Sequence, residues 1–147
     1  MALYHFSVRN VSRGKGQMVV ASAAYISGQR IFDSYYNKIH DYTSKSGVVF
    51  TEILTPEYVP ERLTDRETLW NEVEHVERNN KAQLAYSFDI ALQNELTLEE
   101  NIRLAKEFCQ EQFVARGMIV DLAIHEGKSD NEEEPDNPHF HVLVPIR

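Results

Sequence analysis

Three stretches of this chain split into two unlike faces when alternate residues are separated, as strand geometry requires. In 84–92, Leu84, Tyr86, Phe88, Ile90 and Leu92 fall on one side, with Ala85, Ser87, Asp89 and Ala91 on the other. In 118–125 the split is Met118, Val120, Leu122 and Ile124 against Ile119, Asp121, Ala123 and His125. In 139–146 it is Phe140, Val142, Val144 and Ile146 against His139, His141, Leu143 and Pro145. A strand with one continuous apolar side must lie against a second layer, so helices have to cover that side. The other side carries three histidines and two aspartates, which makes it the face for chemistry.

The remaining elements supply that layer. Residues 2–9 alternate, with Tyr4, Phe6 and Val8 opposite His5, Ser7 and Arg9, and read as a strand. Residues 19–31 are rich in small side chains and read as a helix weakened by Gly28. The segment 32–47 reads as a long loop or irregular hairpin with aromatics among bases, and 48–54 as a strand ending before Pro56. Thr64 with Glu67 has a capping-box pattern opening a helix to about Asn79. Thr97 with Glu100 opens another, running to Gly117. The order β-α-β-α-β-α-β-β, with a final hairpin and no repeat or linker, predicts one α+β domain over 1–147. Its centre is an antiparallel sheet with helices packed on one face.

The 147 residues carry a formal charge of -8, with a pI near 5.2. That balance argues against a partner held by bulk charge, such as nucleic acid or an anionic membrane. The charge is segregated, however. Residues 1–50 hold six bases against two acids, +4, and the rest nine bases against 21 acids, -12. Screening confines fields to about 8–10 Å at physiological salt, so a local basic segment can still meet an anion. Cys109 has no partner cysteine, no apolar run is long enough to span a bilayer, and the N-terminus lacks a signal-peptide pattern. The expected location is the reducing cytoplasm, without membrane insertion.

His139 and His141 project from one face of their strand. If 118–125 pairs antiparallel with 139–146, His125 falls beside them, and three imidazoles converge on a facial divalent-metal site. Asp89 and Asp121 are placed to accept a ring N–H and fix a tautomer. Ala85, Ala91 and Ala123 leave room for a ligand. The competing reading is a polar outer sheet face that happens to be histidine-rich. His5 reads as structural, His40 and His75 as surface residues, and Glu132–Glu134 as part of a solvated loop. Tyr4 and Tyr86 lie on apolar strand faces and read as core. Tyr35, Tyr36 and Tyr42 stand among Arg30, Lys38 and Lys45, a mix suited to stacking bases and neutralising phosphates of single-stranded DNA. From its surroundings alone, Tyr25 reads as a buried helix residue.

The strings SAAYISG (22–28), AIHEG (123–127) and DNPHFH (136–141) together resemble the MobA/MobL relaxases of the MobQ class, which are HUH-type endonucleases. The segments DYTSKSGVVFTEIL, DRETLWNEVE and AQLAYSFDIAL also look like that family, so the resemblance spans nearly the whole chain. It implies a central antiparallel sheet and metal-dependent nicking of single-stranded or melted DNA at an origin of transfer, with relaxosome proteins as further candidate partners. Tyr25 matches the family's nucleophile, His125, His139 and His141 its metal ligands, and Asp89 an acidic position near the site. Three positions depart. Ile26 stands where an arginine is common, Ser87 where a second acid is frequent, and Gln93 where a proline is usual. These bear on DNA contact and metal tuning rather than on the reaction. Family members usually continue past the histidine strand, so the chain reads as a catalytic core.

That chemistry suits the residue types. Neutral imidazoles leave a bound Mg²⁺ or Mn²⁺ its full charge for polarising a phosphate oxygen. A tyrosine attacking phosphorus forms a phosphotyrosyl ester close in energy to the bond it replaces, so rejoining needs no ATP. Three alternatives stay open: a rolling-circle replication initiator with the same chemistry, a non-catalytic DNA-binding module holding a metal, and a metallohydrolase using water.

Overall fold

The strands with a fully apolar side form the middle of the sheet. In the computed structural model, which describes residues 6–127 and 137–146, the chain runs β1 (Phe6–Ser12), α1 (Val19–Ser27), β2 (Arg30–Asp33), β3 (Lys38–Asp41), β4 (Val48–Leu54) and α2 (Arg66–Val76). It continues through β5 (Gln83–Ala91), α3 (Leu98–Gln112), β6 (Val120–His125) and β7 (His139–Pro145). Five strands pair in the order β1-β5-β7-β6-β4, every neighbour antiparallel. β2 and β3 form a separate hairpin, so the segment expected to be loop or hairpin is a hairpin, turned by Asn37 at φ 52°. Tyr4, His5 and the acidic run Glu132–Glu134 lie outside the described residues.

The α+β class and central antiparallel sheet agree with the sequence, but the helices lie on both faces rather than one. Val120, Leu122, Ile124, Phe140, Val142 and Val144 meet Ala105 and Cys109 of α3, with Phe113 just beyond it. Burial pushes the Cys109 thiol up to about 12, which keeps it inert. The opposite face packs Ala85, Ala123 and Leu143 against Val19, Val20, Ala23 and Ala24 of α1 and Leu69 and Trp70 of α2. Small residues on both partners let α1 approach closely. Ala85 and Ala123, fully buried, therefore make room for a helix and not for a ligand.

Asp121 explains how a helix can sit on a polar strand face. Its carboxylate is fully buried and accepts from Arg66 Nε at 2.8 Å, Arg66 Nη2 at 2.7 Å and Trp70 Nε1 at 2.8 Å. This corrects the expectation that Asp121 serves an imidazole, because both its oxygens are committed to α2. A second buried pair, Arg13 Nη2 to Glu74 Oε1 at 2.6 Å, ties the end of β1 to the same helix.

Local boundaries follow capping chemistry. α1 stops at Gly28, whose φ of 65° closes the helix, instead of continuing to residue 31. α2 is capped by Asp65, which accepts from Thr68 N, one residue after the expected Thr64. Glu67 turns away from that end and accepts from Phe32 N at 2.7 Å, docking the hairpin. The Thr97–Glu100 capping box forms as expected, although α3 ends at Gln112 and a 3-10 turn fills the gap to Gly117. His40 is buried against Asp33 at 3.0 Å, correcting its surface reading, while His75 is exposed and bonds Ser34. Tyr86 is 41% exposed and not core, since it lies one step along the face beyond Phe88, which Phe113 covers.

Removing one partner of a buried pair strands the other charge. Asp121→Ala is expected to cost about 3–5 kcal/mol in urea unfolding. A cost near that of a surface substitution, below about 0.5 kcal/mol, would show that the pair does not anchor α2.

Candidate active site

The β6–β7 register brings the histidines together. His125 pairs with His139, and His141 lies between Ala123 of β6 and Asp89 of β5. The ring centroids stand 4.4 Å (125–141), 4.9 Å (139–141) and 5.2 Å (125–139) apart, and one nitrogen from each ring lies within 4.8 Å of the others. Two metal–nitrogen bonds of about 2.1 Å span up to about 4.2 Å, so slight closure of the rings suits a single divalent ion. Burial lowers the His125 pKa, and burial followed by the neighbouring His125 lowers that of His141 to about 4. Both rings are therefore neutral near pH 7, the form that binds metal.

Backbone carbonyls orient two of the rings. His125 Nε2–H donates to Ile26 O at 2.8 Å and His139 Nδ1–H to Asn137 O at 2.9 Å, since a carbonyl can only accept. Each ring keeps its lone pair on the other nitrogen. Asp89 Oδ1 is buried without a hydrogen bond and lies 3.8 Å from His141 Nδ1. A buried carboxylate oxygen without a hydrogen bond, beside a cluster of three imidazoles, is the environment a cation would relieve. The donor set fits a divalent metal. Gly127 holds the base of the hairpin: at φ 56°, a Cβ there would lie 2.0 Å from Asn137 O.

Tyr25 is on the last turn of α1 and is 52% exposed, unlike the buried Val19, Val20, Ala23 and Ala24 of the same helix. The local expectation of a buried tyrosine is therefore overturned. Its ring and His141 line one open cavity of about 330 Å³, together with Arg9, Asn10, Ser22, Tyr42 and Ser87. Tyr42 stands edge-on to Tyr25 at 5.3 Å, and Lys45 Nζ lies 3.4 Å above the Tyr25 ring centroid. Of the candidate DNA contacts, Tyr42 and Lys45 are thus beside Tyr25. Tyr35 and Tyr36 lie at the β2–β3 turn, Tyr35 against Arg13 and His75. Arg30 borders a different depression with Asp65 and Glu67, and Lys38 is on the exposed hairpin. None of these four lines the cleft.

The positions that depart from the family pattern also have places. Ile26 is buried and offers its carbonyl to His125, Ser87 lines the cleft, and Gln93 O accepts from Asn101 Nδ2 at 3.0 Å. Sequence reasoning passed over Arg9 and Asn10 as site residues. For Arg9 a signal existed, because it shares a strand face with Ser7, opposite Ser87 and Asp89 in the β1–β5 register.

A family model described as the MobA/MobL family matches residues 17–147. The conjugal transfer protein TraA of Rhizobium radiobacter is 37% identical over all of this chain, which covers 14% of that relative. The mobilization protein MobL of Acidithiobacillus ferridurans is 33% identical over 99% of the chain, which covers 38% of it. A protein structure solved for the molecular basis of vancomycin resistance transfer in Staphylococcus aureus superposes with a TM-score of 0.88 at 41% identity, over 99% of this chain and 71% of that one.

Two measurements check the site. Saturating Mn²⁺ is expected to raise the melting temperature, by the equivalent of about 2.7 kcal/mol at 100 times Kd. His125→Ala, His139→Ala or His141→Ala should remove the rise and His75→Ala should keep it. An unchanged rise in all three would locate metal elsewhere. Gly127→Ala is expected to weaken Mn²⁺ binding at least about 10-fold, the low end for losing support around a ligand, measured by titration calorimetry. Unaltered affinity would mean that the hairpin base does not hold the rings.

Proposed function

The chain belongs to the MobA/MobL family of conjugal-transfer and mobilization relaxases, and from that premise we propose that it is a DNA strand transferase whose nucleophile is Tyr25. The chain spans 14 to 38% of the two curated relatives described above, so the activity of a whole relaxase is part of this proposal. The observation that carries it is one cleft lined both by the exposed Tyr25 and by His141, a member of the metal-competent histidine cluster.

Single-stranded or melted origin-of-transfer DNA would lie along the cleft, its scissile phosphate between Tyr25 and the histidines. Tyr25 Oη attacks phosphorus, losing its proton as the new O–P bond forms. The bond to the 3′-oxygen breaks, and that oxygen leaves as a 3′-hydroxyl after taking up a proton. The product is a 5′-phosphotyrosine ester. A 3′-hydroxyl attacking the ester reverses the step and rejoins the strand. His125, His139 and His141 would hold a Mg²⁺ or Mn²⁺ ion, which would supply positive charge to offset that developing on the phosphate. Asp89 adds a carboxylate 3.8 Å from His141 Nδ1, and Ile26 O and Asn137 O hold His125 and His139. The exposed guanidinium of Arg9 on the cleft wall adds charge where the DNA backbone passes.

The charge distribution suits local contacts rather than bulk attraction, so nonspecific duplex binding should be weak at physiological salt. No helix among the described residues is long and apolar enough to cross a membrane. A buried free thiol suits the reducing cytoplasm, where we place the reaction.

Incubating origin oligonucleotides with Mg²⁺ or Mn²⁺, followed by peptide mass spectrometry, is expected to find the nucleotide on Tyr25. Tyr25→Phe should form no adduct. An undiminished adduct in the variant would overturn the nucleophile assignment, and full cleavage without any adduct would mean that water attacks instead.

A further inference from the structure

Tyr25 occupies the last turn of α1, where carbonyls have no amide partner within the helix. The amides of Gly28 and Gln29 both turn back onto Ala24 O, which leaves the carbonyls of residues 25 and 26 to other donors. Ile26 O is taken by His125. Tyr25 O is taken by Lys45, whose Nζ donates to it at 3.0 Å.

Lys45 reaches that carbonyl because the chain after the hairpin folds back under the helix end. Tyr42 N donates to Gln29 O at 3.1 Å, and Lys45 N donates to Tyr42 O at 3.0 Å. The approach is tight: a Cβ on Gly28 would stand 3.3 Å from Val48 Cγ2 and 3.8 Å from Tyr42 O. The turn is thus fixed by backbone bonds, and its side chains close around Tyr25. Lys45 covers one face of the ring, its ammonium 3.4 Å from the centroid, and Tyr42 meets the ring at 87°. An exposed phenol is otherwise free to change rotamer, and a nucleophile must hold its oxygen in line with the bond it breaks.

We propose that Lys45 is the positioning residue of Tyr25: it bonds the tyrosine's carbonyl and covers its ring face, holding the phenol toward the cleft that His141 lines. The ring face favours a cation through its quadrupole, and the carbonyl favours one through the negative end of the helix. One flexible side chain therefore gains two attachments to one residue. The role differs from a phosphate contact, in which Lys45 would act on DNA affinity. This inference rests on Tyr25 being the nucleophile.

The test compares wild type with Lys45→Met and Lys45→Arg in single-turnover adduct formation at saturating origin oligonucleotide, alongside oligonucleotide Kd. Lys45→Met is expected to slow the saturated rate by about 10- to 100-fold, the range for a misplaced reacting group, with Kd within about 3-fold of wild type. Lys45→Arg, which keeps the charge and donors, should recover most of the rate. Spectra of ¹³C-tyrosine-labelled protein without DNA, with the Tyr25 signal identified from Tyr25→Phe, should show that ring signal moving in Lys45→Met. A wild-type saturated rate, a loss confined to Kd, or an unmoved Tyr25 signal would each overturn the proposal. If Lys45→Met is unfolded by circular dichroism, Lys45→Gln takes its place under the same criteria. An adduct persisting in Tyr25→Phe would defeat the nucleophile assignment instead, a separate result from any Lys45 outcome.

Discussion

One hydrogen bond joins the two halves of the site. His125 Nε2–H donates to the carbonyl of Ile26, the residue after Tyr25, at 2.8 Å. It connects the sheet, which carries the candidate metal ligands, to the helix that carries the exposed tyrosine. The bond satisfies a carbonyl that the helix end leaves open, and it sets the tautomer of a ring that could otherwise carry its proton on either nitrogen. The same contact therefore caps a helix, orients a candidate ligand and ties the helix of Tyr25 to the histidine strand. Displacing α1 along its axis would disturb all three.

α1 keeps its place because one polar strand face is divided. Along β6, Asp121 and His125 point the same way, yet Asp121 is consumed by Arg66 and Trp70 while His125 bonds Ile26 O and joins the other two histidines. The Asp121 end is dry, with Ala85, Ala123 and Leu143 packed under two helices. The His125 end stays open beside Asp89, His139 and His141. A buried carboxylate is tolerated only when its lone pairs are filled, and the bidentate arginine with the indole N–H fills them. At the other end Asp89 Oδ1 has no hydrogen bond, beside the candidate metal ligands.

Much of this was legible because alternation is a local property of a strand. The apolar faces of β5, β6 and β7 and the Thr97–Glu100 capping box follow from spacing alone, and the three-histidine face from spacing together with the hairpin order of β6 and β7. Other features depend on distant partners. Nothing near Asp121 in the chain marks Arg66 and Trp70 as its partners, at sequence separations of 55 and 51. His40 looked exposed within a polar hairpin, until that hairpin buried it against Asp33. Tyr25 looked buried among alanines, because a short helix does not show which of its sides will face an open cleft.

The sequence by itself determined the strand faces and the residue types available for chemistry, since each depends on periodicity over a few neighbours, and the order of its elements pointed to an antiparallel centre. It also showed that a net charge of -8 conceals a basic first third. Only the tertiary structure decided which polar residues of the histidine face would be structural and which would line the cleft. It alone put helices on both faces of the sheet and drew Lys45 across Tyr25. The physical reason is desolvation: whether a carboxylate, an imidazole or a phenol is paired, buried or left exposed depends on what packs against it. Those neighbours come from remote parts of the chain.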